Sequence, residues 1–284
     1  MNKSFMKKAI TKKGFGLTYG KAILYIIFFL LSLIFVSLIA LIINFFLEGT
    51  ILKSVMIILN VLPLILTILW AFYRAKKNHV ALKFSFYPTI KLFPVLLLLT
   101  FFMLMISSYL TTFIPHDQGF LKEIYDKFNS NIKYLMNPKW LLIVATCIFA
   151  PIFEEMFFRG LLLNGLLNRA KNTQQVWMAI LFTSFIFGLI HVNPWQFIAG
   201  VISGIALGYV YYQTKSLMNS IFIHALNNGL SVFILFQYGD LEPMEIVSYP
   251  EYYNFLFLIG FIICLFLVHF FTAPSLSKNS ISLK

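Results

Sequence analysis

Long apolar runs separated by short polar stretches organise this chain. They fall near residues 22–47, 54–73, 92–114, 140–168, 175–192, 195–213, 216–238 and 252–271. A run of about 20 apolar residues crosses the hydrocarbon core of a bilayer. The pattern therefore predicts an all-α, polytopic membrane protein with eight transmembrane helices. The stretch from Pro115 to Lys139 breaks the pattern: it mixes charges with apolar residues and is amphipathic around Phe120 to Phe128. A short helix on the outer surface is expected there, with a lid over a site as the alternative reading. The fourth run has 29 residues, and at about 1.5 Å per residue it exceeds a core roughly 30 Å thick. It must tilt, bend or project, and Pro151 is the expected kink.

Composition supports the membrane assignment. The 284 residues are 60% hydrophobic, 18% aromatic and only 11% charged, far from the balance of a soluble domain. The net charge of +12 does not point to nucleic acid, because the basic residues gather at the ends of apolar runs instead of forming a stripe. They act as topology signals. With the N-terminus cytoplasmic, the inner segments collect Lys3, Lys7, Lys8, Lys12, Lys13, Lys21, Arg74, Lys76, Lys77, Lys83, Lys91, Arg169, Lys171, Lys215, Lys278 and Lys284. The outer ones keep only Lys53, Lys122, Lys127, Lys133 and Lys139. Both termini are therefore expected to be cytoplasmic. The first run is too long for a signal-peptide core and has no small-residue cleavage site, so it is expected to remain as the first span. Cys147 and Cys264 sit within apolar runs without metal-type spacing and read as core residues.

Of the ten acidic residues, eight (Glu48, Asp117, Glu123, Asp126, Asp240, Glu242, Glu245 and Glu251) fall in the outer segments. The other two, Glu154 and Glu155, lie within the fourth apolar run beside Arg159. An acidic side chain at a helix centre costs about 2.5–3.5 kcal/mol on insertion scales, and such residues face a bundle interior or a wet cavity. Glu155 and Arg159 are four apart and share a helix face, whereas Glu154 points about 100° away. Glu155 is thus expected to be held by Arg159 and Glu154 to be free for chemistry. A purely structural role, both carboxylates balancing Arg159, is the alternative.

Three more polar groups fall in apolar runs. Phe187 and His191 share one face at the end of the fifth, and His224 and Asn228 share a face of the seventh. Between them, Gly200, Gly204 and Gly208 form a small-residue ridge for close helix contact. His269 reads as an interfacial residue, and His79 and His116 as loop residues without partners. A carboxylate and an imidazole together orient and deprotonate a water, and a second imidazole with a carboxamide donates to a developing oxyanion. These are the requirements of amide hydrolysis. One tension remains: counted from the cytoplasmic ends at about 1.5 Å per residue, Glu154 and His191 lie about 22–26 Å deep and His224 about 13 Å. The fourth and fifth helices are expected to extend beyond the cytoplasmic face.

The segments EEMFFR (154–159), FGLIH (187–191) and HALNN (224–228) resemble the EExxxR, FxxxH and HxxxN/D motifs of the CAAX protease and bacteriocin-processing family, also called Abi, of intramembrane endopeptidases. The resemblance covers about residues 140–238. It implies an eight-helix enzyme whose cavity opens to the cytosol. It also implies Glu154 and His191 as water activators and His224 and Asn228 as oxyanion donors, with Glu155, Arg159 and Phe187 in support. The same residues offer a metal alternative, because Glu154, His191 and His224 would ligate zinc through one carboxylate and two imidazoles. The metal-free mechanism is the expectation.

The chain divides accordingly into residues 1–139, a basic tail with three scaffold spans and the outer loop; 140–238, the catalytic helices; and 239–284, an acidic outer loop, the last span and a tail. The expected function is hydrolysis of a peptide bond in a membrane-associated peptide or protein, in a bacterial plasma membrane. A non-catalytic scaffold or immunity protein and a small proton-coupled transporter are the other readings.

Overall fold

The computed structural model describes residues 14–238 and 250–280. The basic tail through Lys13, the acidic stretch containing Asp240, Glu242 and Glu245, and Lys284 lie outside the described residues. Among the described residues nine helices longer than one turn follow in order: α1 (Tyr19–Ile43), α2 (Gly49–Lys77), α3 (Phe93–Thr111), α4 (Gly119–Leu135), α5 (Lys139–Leu167), α6 (Thr173–Leu189), α7 (Pro194–Thr214), α8 (Leu217–Tyr238) and α9 (Tyr252–Ser280). No strand forms among the described residues; the nearest approach is one isolated bridge between Gly14 and Ala81. The chain is an integral membrane protein, and each expected span is a helix. Seven of them have the length and composition to cross a bilayer.

The exception is α6. The sequence suggested a span to residue 192, but the helix has 17 residues and stops at Leu189. Three local signals end it: Val192 has a left-handed φ of 57°, the Asn193 side chain accepts the Gln196 backbone N–H at 2.9 Å, and Pro194 opens α7. The turn they make lifts His191 off the helix. The amphipathic stretch forms α4 as expected, and its C-terminal end is tied to α2 by the Lys53 ammonium, which donates to the Tyr134 and Asn137 carbonyls at 2.7 Å each.

Along α5, the expected kink at Pro151 is replaced by two wide, π-helical stretches, Val144–Phe149 and Met156–Leu163, on either side of an α-helical Ala150–Glu155. Proline lacks the N–H that a helix interior requires. Wide turns re-route the neighbouring bonds and commonly mark functional positions. The far end of α5 is gripped by the segment before α1, where Leu17 N–H donates to the Gly165 carbonyl at 2.7 Å and Asn168 donates to the Phe15 carbonyl at 2.8 Å.

The α6–α7 pair is the tightest contact in the bundle. A Cβ on Gly204 would lie 2.8 Å from Ser184 Cα, one on Gly200 2.8 Å from Gly188 Cα, and one on Gly208 3.2 Å from a terminal methyl of Ile180. The first two meet backbone that cannot yield, the third a side chain that can. Replacing Gly204 or Gly200 by alanine is therefore expected to destabilise the protein by about 1–3 kcal/mol, the usual cost of overpacking. Gly208→Ala should cost less, an order checked by thermal unfolding of the three variants in detergent.

Candidate active site

The site is assembled around a buried carboxylate. Glu155 is fully buried and Arg159 is 1% exposed. Arg159 Nη1 donates to Glu155 Oε1 at 2.7 Å, the pairing expected from their spacing. Two further contacts were not legible in the sequence. His224 Nδ1, from α8, lies 2.9 Å from the same Glu155 oxygen, and Arg159 Nη2 donates to the Gly204 carbonyl of α7 at 3.3 Å. One ion pair on α5 thus fastens α7 and α8. The close approach permitted by the glycine ridge brings the Gly204 carbonyl within reach, so Gly204 serves the site as well as the packing.

Glu154 is placed differently. It lines a cavity of about 480 Å³ together with Phe187, His191, His224 and Asn228. Its Oε2 has no hydrogen-bond partner and lies 3.9 Å from His224 Nε2. Three separately encoded segments therefore deliver all four expected catalytic side chains to one cavity. Their common level agrees with the depth argument: α5 continues 13 residues past Glu154, whereas α8 begins only seven before His224. On the side away from the cavity, α5 extends almost two turns farther than α8.

The hydrogen bonds fix the tautomers. His191 Nδ1 lies 2.8 Å from the Phe187 carbonyl. A carbonyl only accepts, so Nδ1 carries the proton and Nε2 of neutral His191 keeps its lone pair. The same logic applies to His224, whose Nδ1 faces the Glu155 carboxylate. Its Nε2 is an acceptor when the ring is neutral and a donor when the ring is protonated. Asn228 donates one amide hydrogen to the Thr146 carbonyl at 2.8 Å, within the first wide stretch of α5. Its second amide hydrogen has no partner among the described residues.

Phe187 packs against both imidazoles. Its ring lies edge-on to His191 at 5.2 Å and to His224 at 5.6 Å between centroids, and the Arg159 guanidinium covers it at 4.7 Å. The supporting role expected of Phe187 thus has a form: it is a wall that fixes both rings and seats the cation.

Zinc ligation needs three donors to converge. Glu154 and His224 approach one another, but among the described residues no group of three His, Cys, Asp or Glu is placed to hold a metal ion. This arrangement does not form the three-ligand set, and the chemistry below uses the chain's own groups.

The remaining histidines and cysteines lie elsewhere. His269 Nδ1 is 3.0 Å from Gln213 Nε2. His116, expected to be without a partner, packs on Tyr125 at 4.9 Å between centroids, and Tyr125 packs on Trp195. Cys264 is buried and Cys147 half-buried, both as free thiols.

The end at which the cavity lies is also defined. It is walled by the last turns of α3 (Ser107, Ser108, Thr111), the first half of α5, the first turns of α7 and the second half of α8, with Phe128 and Ile132 of α4 above it. All of these lie at the end of the described bundle opposite the one that carries Lys21, Arg74, Lys76, Lys77, Arg169, Lys171 and Lys215.

Residues 136–230 match the family model described as type II CAAX prenyl endopeptidase Rce1-like. The chain is 28% identical over 105 residues to the putative membrane peptidase YdiL of Bacillus subtilis (strain 168), a stretch covering 37% of this chain and 39% of that protein. It is 34% identical over 122 residues to the membrane-embedded CAAX protease MroQ of Staphylococcus aureus (strain USA300), covering 42% of this chain and 47% of that protein. The matches thus span less than half the length of these curated relatives. No solved structure matches the chain. The matched stretch contains all three motifs and the whole Glu155–Arg159–His224 network, and it is through residues 136–230 that the chain is similar to the Rce1-like, type II CAAX prenyl endopeptidase sequences.

Proposed function

We propose that the protein is an intramembrane endopeptidase that hydrolyses a peptide bond in a membrane-associated peptide or protein, with residues 140–238 as its catalytic unit. One observation carries this reading: Glu154, His191, His224 and Asn228 line one cavity, and the Glu154 oxygen facing His224 is buried without a hydrogen-bond partner. An unsatisfied buried carboxylate oxygen is costly, and a water that donates to it removes that cost. The maturation of a peptide signal or bacteriocin fits this chemistry.

In the reaction, a water held by Glu154 Oε2 and the lone pair of His191 Nε2 gives up a proton as its oxygen adds to the scissile carbonyl. The tetrahedral oxyanion then accepts from the free amide hydrogen of Asn228 and from Nε2 of a protonated His224. Collapse breaks the C–N bond, and the proton taken from water passes to the departing amine. Glu155 stays ionised throughout: it orients His224 through Nδ1 and balances Arg159. Water activation of this kind contributes about 10²–10⁴-fold, and one oxyanion donor about 10²–10³-fold.

The roles separate experimentally. Glu154→Gln and His191→Ala should each lower cleavage by at least about 10²-fold, so that an uncleaved precursor accumulates when membranes of wild type and Glu154→Gln are compared by proteomics. No accumulating species, together with an unaltered phenotype, would favour a scaffold instead. Asn228→Ala should reduce kcat by about 10²–10³-fold with little change in KM. Purified protein should keep its activity after a strong zinc chelator, and loss reversed by added zinc would reassign Glu154 and His224 as ligands.

Stability should respond in the opposite order. Arg159→Ala leaves Glu155 charged and buried without its partner, at a cost of about 3–5 kcal/mol, and should lower the melting temperature in detergent far more than Glu154→Gln. The double variant Glu155→Gln/Arg159→Met should regain much of that stability while remaining inactive, because His224 is no longer oriented.

A further inference from the structure

We infer that the cavity takes its substrate from the extracytoplasmic side, as a peptide segment that has already crossed the membrane or lies in the outer leaflet. The inference rests on the peptidase reading for the word substrate, and on geometry and charge for the side of access.

Two observations converge. The first is charge. Among the described residues, Lys21, Arg74, Lys76, Lys77, Lys83, Lys91, Arg169, Lys171 and Lys215 mark one end of the bundle, and no Asp or Glu shares it. The acids Glu48, Asp117, Glu123, Asp126 and Glu251 mark the other, with Lys53, Lys122, Lys127, Lys133 and Lys139. Lysine and arginine in short loops stay cytoplasmic, which puts the acid-bearing end, and the cavity with it, outside.

The second is packing. Between the catalytic groups and the basic end, the bundle is solid. Phe157, Phe158, Leu161, Leu162, Leu163 and Ile180 are each fully buried, as are Val210, Leu217, Ser220 and Ile223. The segment before α1 then seals the end of α5. A second cavity of about 270 Å³ lies at this end, lined by Phe15, Lys21, Trp70 and Arg74, but it shares no lining residue with the first, and the packed layer stands between them. At the other end the roof is a single amphipathic helix, α4, which contributes Phe128 and Ile132 to the cavity. The polar groups on the walls near it, Ser107, Ser108, Gln196 and Ser203, suit the backbone of an extended peptide. The route inferred for such a segment runs past α4, from the outer surface or sideways from the outer leaflet.

Sidedness is read without reference to catalysis. In a background carrying Cys147→Ala and Cys264→Ala, single cysteines are placed at Lys122 on the exposed face of α4, at Ser108 in the cavity wall and at Lys171 on the basic end. Each variant is treated with a membrane-impermeant maleimide in right-side-out and in inverted vesicles. Lys122→Cys and Ser108→Cys are expected to label at least tenfold faster in right-side-out vesicles, and Lys171→Cys in inverted ones. The reverse pattern overturns the inference by inverting the protein. Labelling of Ser108→Cys only from the side that labels Lys171→Cys, or from neither side, overturns the route of access. These outcomes do not depend on whether the protein is a peptidase, a question answered separately by precursor accumulation in Glu154→Gln. Where a precursor accumulates, its cleavage point should fall in the outer half of its membrane segment or beyond it, and a point on the cytoplasmic flank contradicts the inference.

Discussion

A carboxylate and a guanidinium withdrawn completely from water can persist only as partners. Glu155 and Arg159 are such a pair. Their mutual attraction in a medium of low dielectric is large, but so is the cost of stripping both of water, and the balance is favourable only when the remaining donors and acceptors are also used. Here they are used across helices, apart from Glu155 Oε2, which is buried without a hydrogen-bond partner among the described residues. Arg159 reaches a backbone carbonyl of α7, and Glu155 receives the imidazole of α8. The requirement that a buried charge be satisfied thereby becomes a requirement that α5, α7 and α8 meet at one level. The groups proposed as catalytic inherit that level, because Glu154 is the neighbour of Glu155 and Asn228 follows His224 by one helical turn.

The apolar packing is arranged to allow this meeting. Between membrane helices there is little hydrophobic driving force, and close approach depends on small residues. Gly188, Gly200 and Gly204 bring α6 and α7 almost backbone to backbone. That proximity places the Gly204 carbonyl beside Arg159 and the turn after α6 beside the cavity. Phe187 then fills the space under the guanidinium, fixing both imidazoles through its ring edges. A larger residue on the ridge would separate the helices, and the network would lose an acceptor as well as packing.

Much of this could be read from the chain, and the limits have physical causes. The spans follow from hydropathy because a bilayer demands a minimum apolar length, and only α6 fell short, since the turn that ends it depends on the left-handed Val192 and the Asn193 cap. The Glu155–Arg159 pair followed from helical spacing. The division between a held Glu155 and a free Glu154 followed from the angle between successive residues. His224 bonding to Glu155 did not follow, because spacing within a helix says nothing about which helix lies opposite. The wide stretches of α5 were also hidden: Pro151 announced an irregularity, but a proline permits a kink or a re-routed turn, and neighbouring helices choose. Asn228 shows the consequence, since its partner is the Thr146 carbonyl in the first wide stretch.

The same hydrogen bonds constrain the chemistry more than the motif does. A histidine whose Nδ1 faces a carboxylate is the partner of an acid, and its Nε2 cannot donate unless the ring is charged. A histidine whose Nδ1 faces a carbonyl is a neutral base with its lone pair on Nε2. His224 is of the first kind and His191 of the second, and the Phe187 ring packs against both. In the proposed mechanism, roles that the motif leaves interchangeable are distinguished by what lies behind each ring: His191, backed by a neutral carbonyl, is assigned to proton abstraction, and His224, backed by Glu155 and close to Glu154, to oxyanion donation. The asymmetry arises in the second contact of each imidazole, and it would be lost if Glu155 were neutral even with every motif residue facing the cavity still in place.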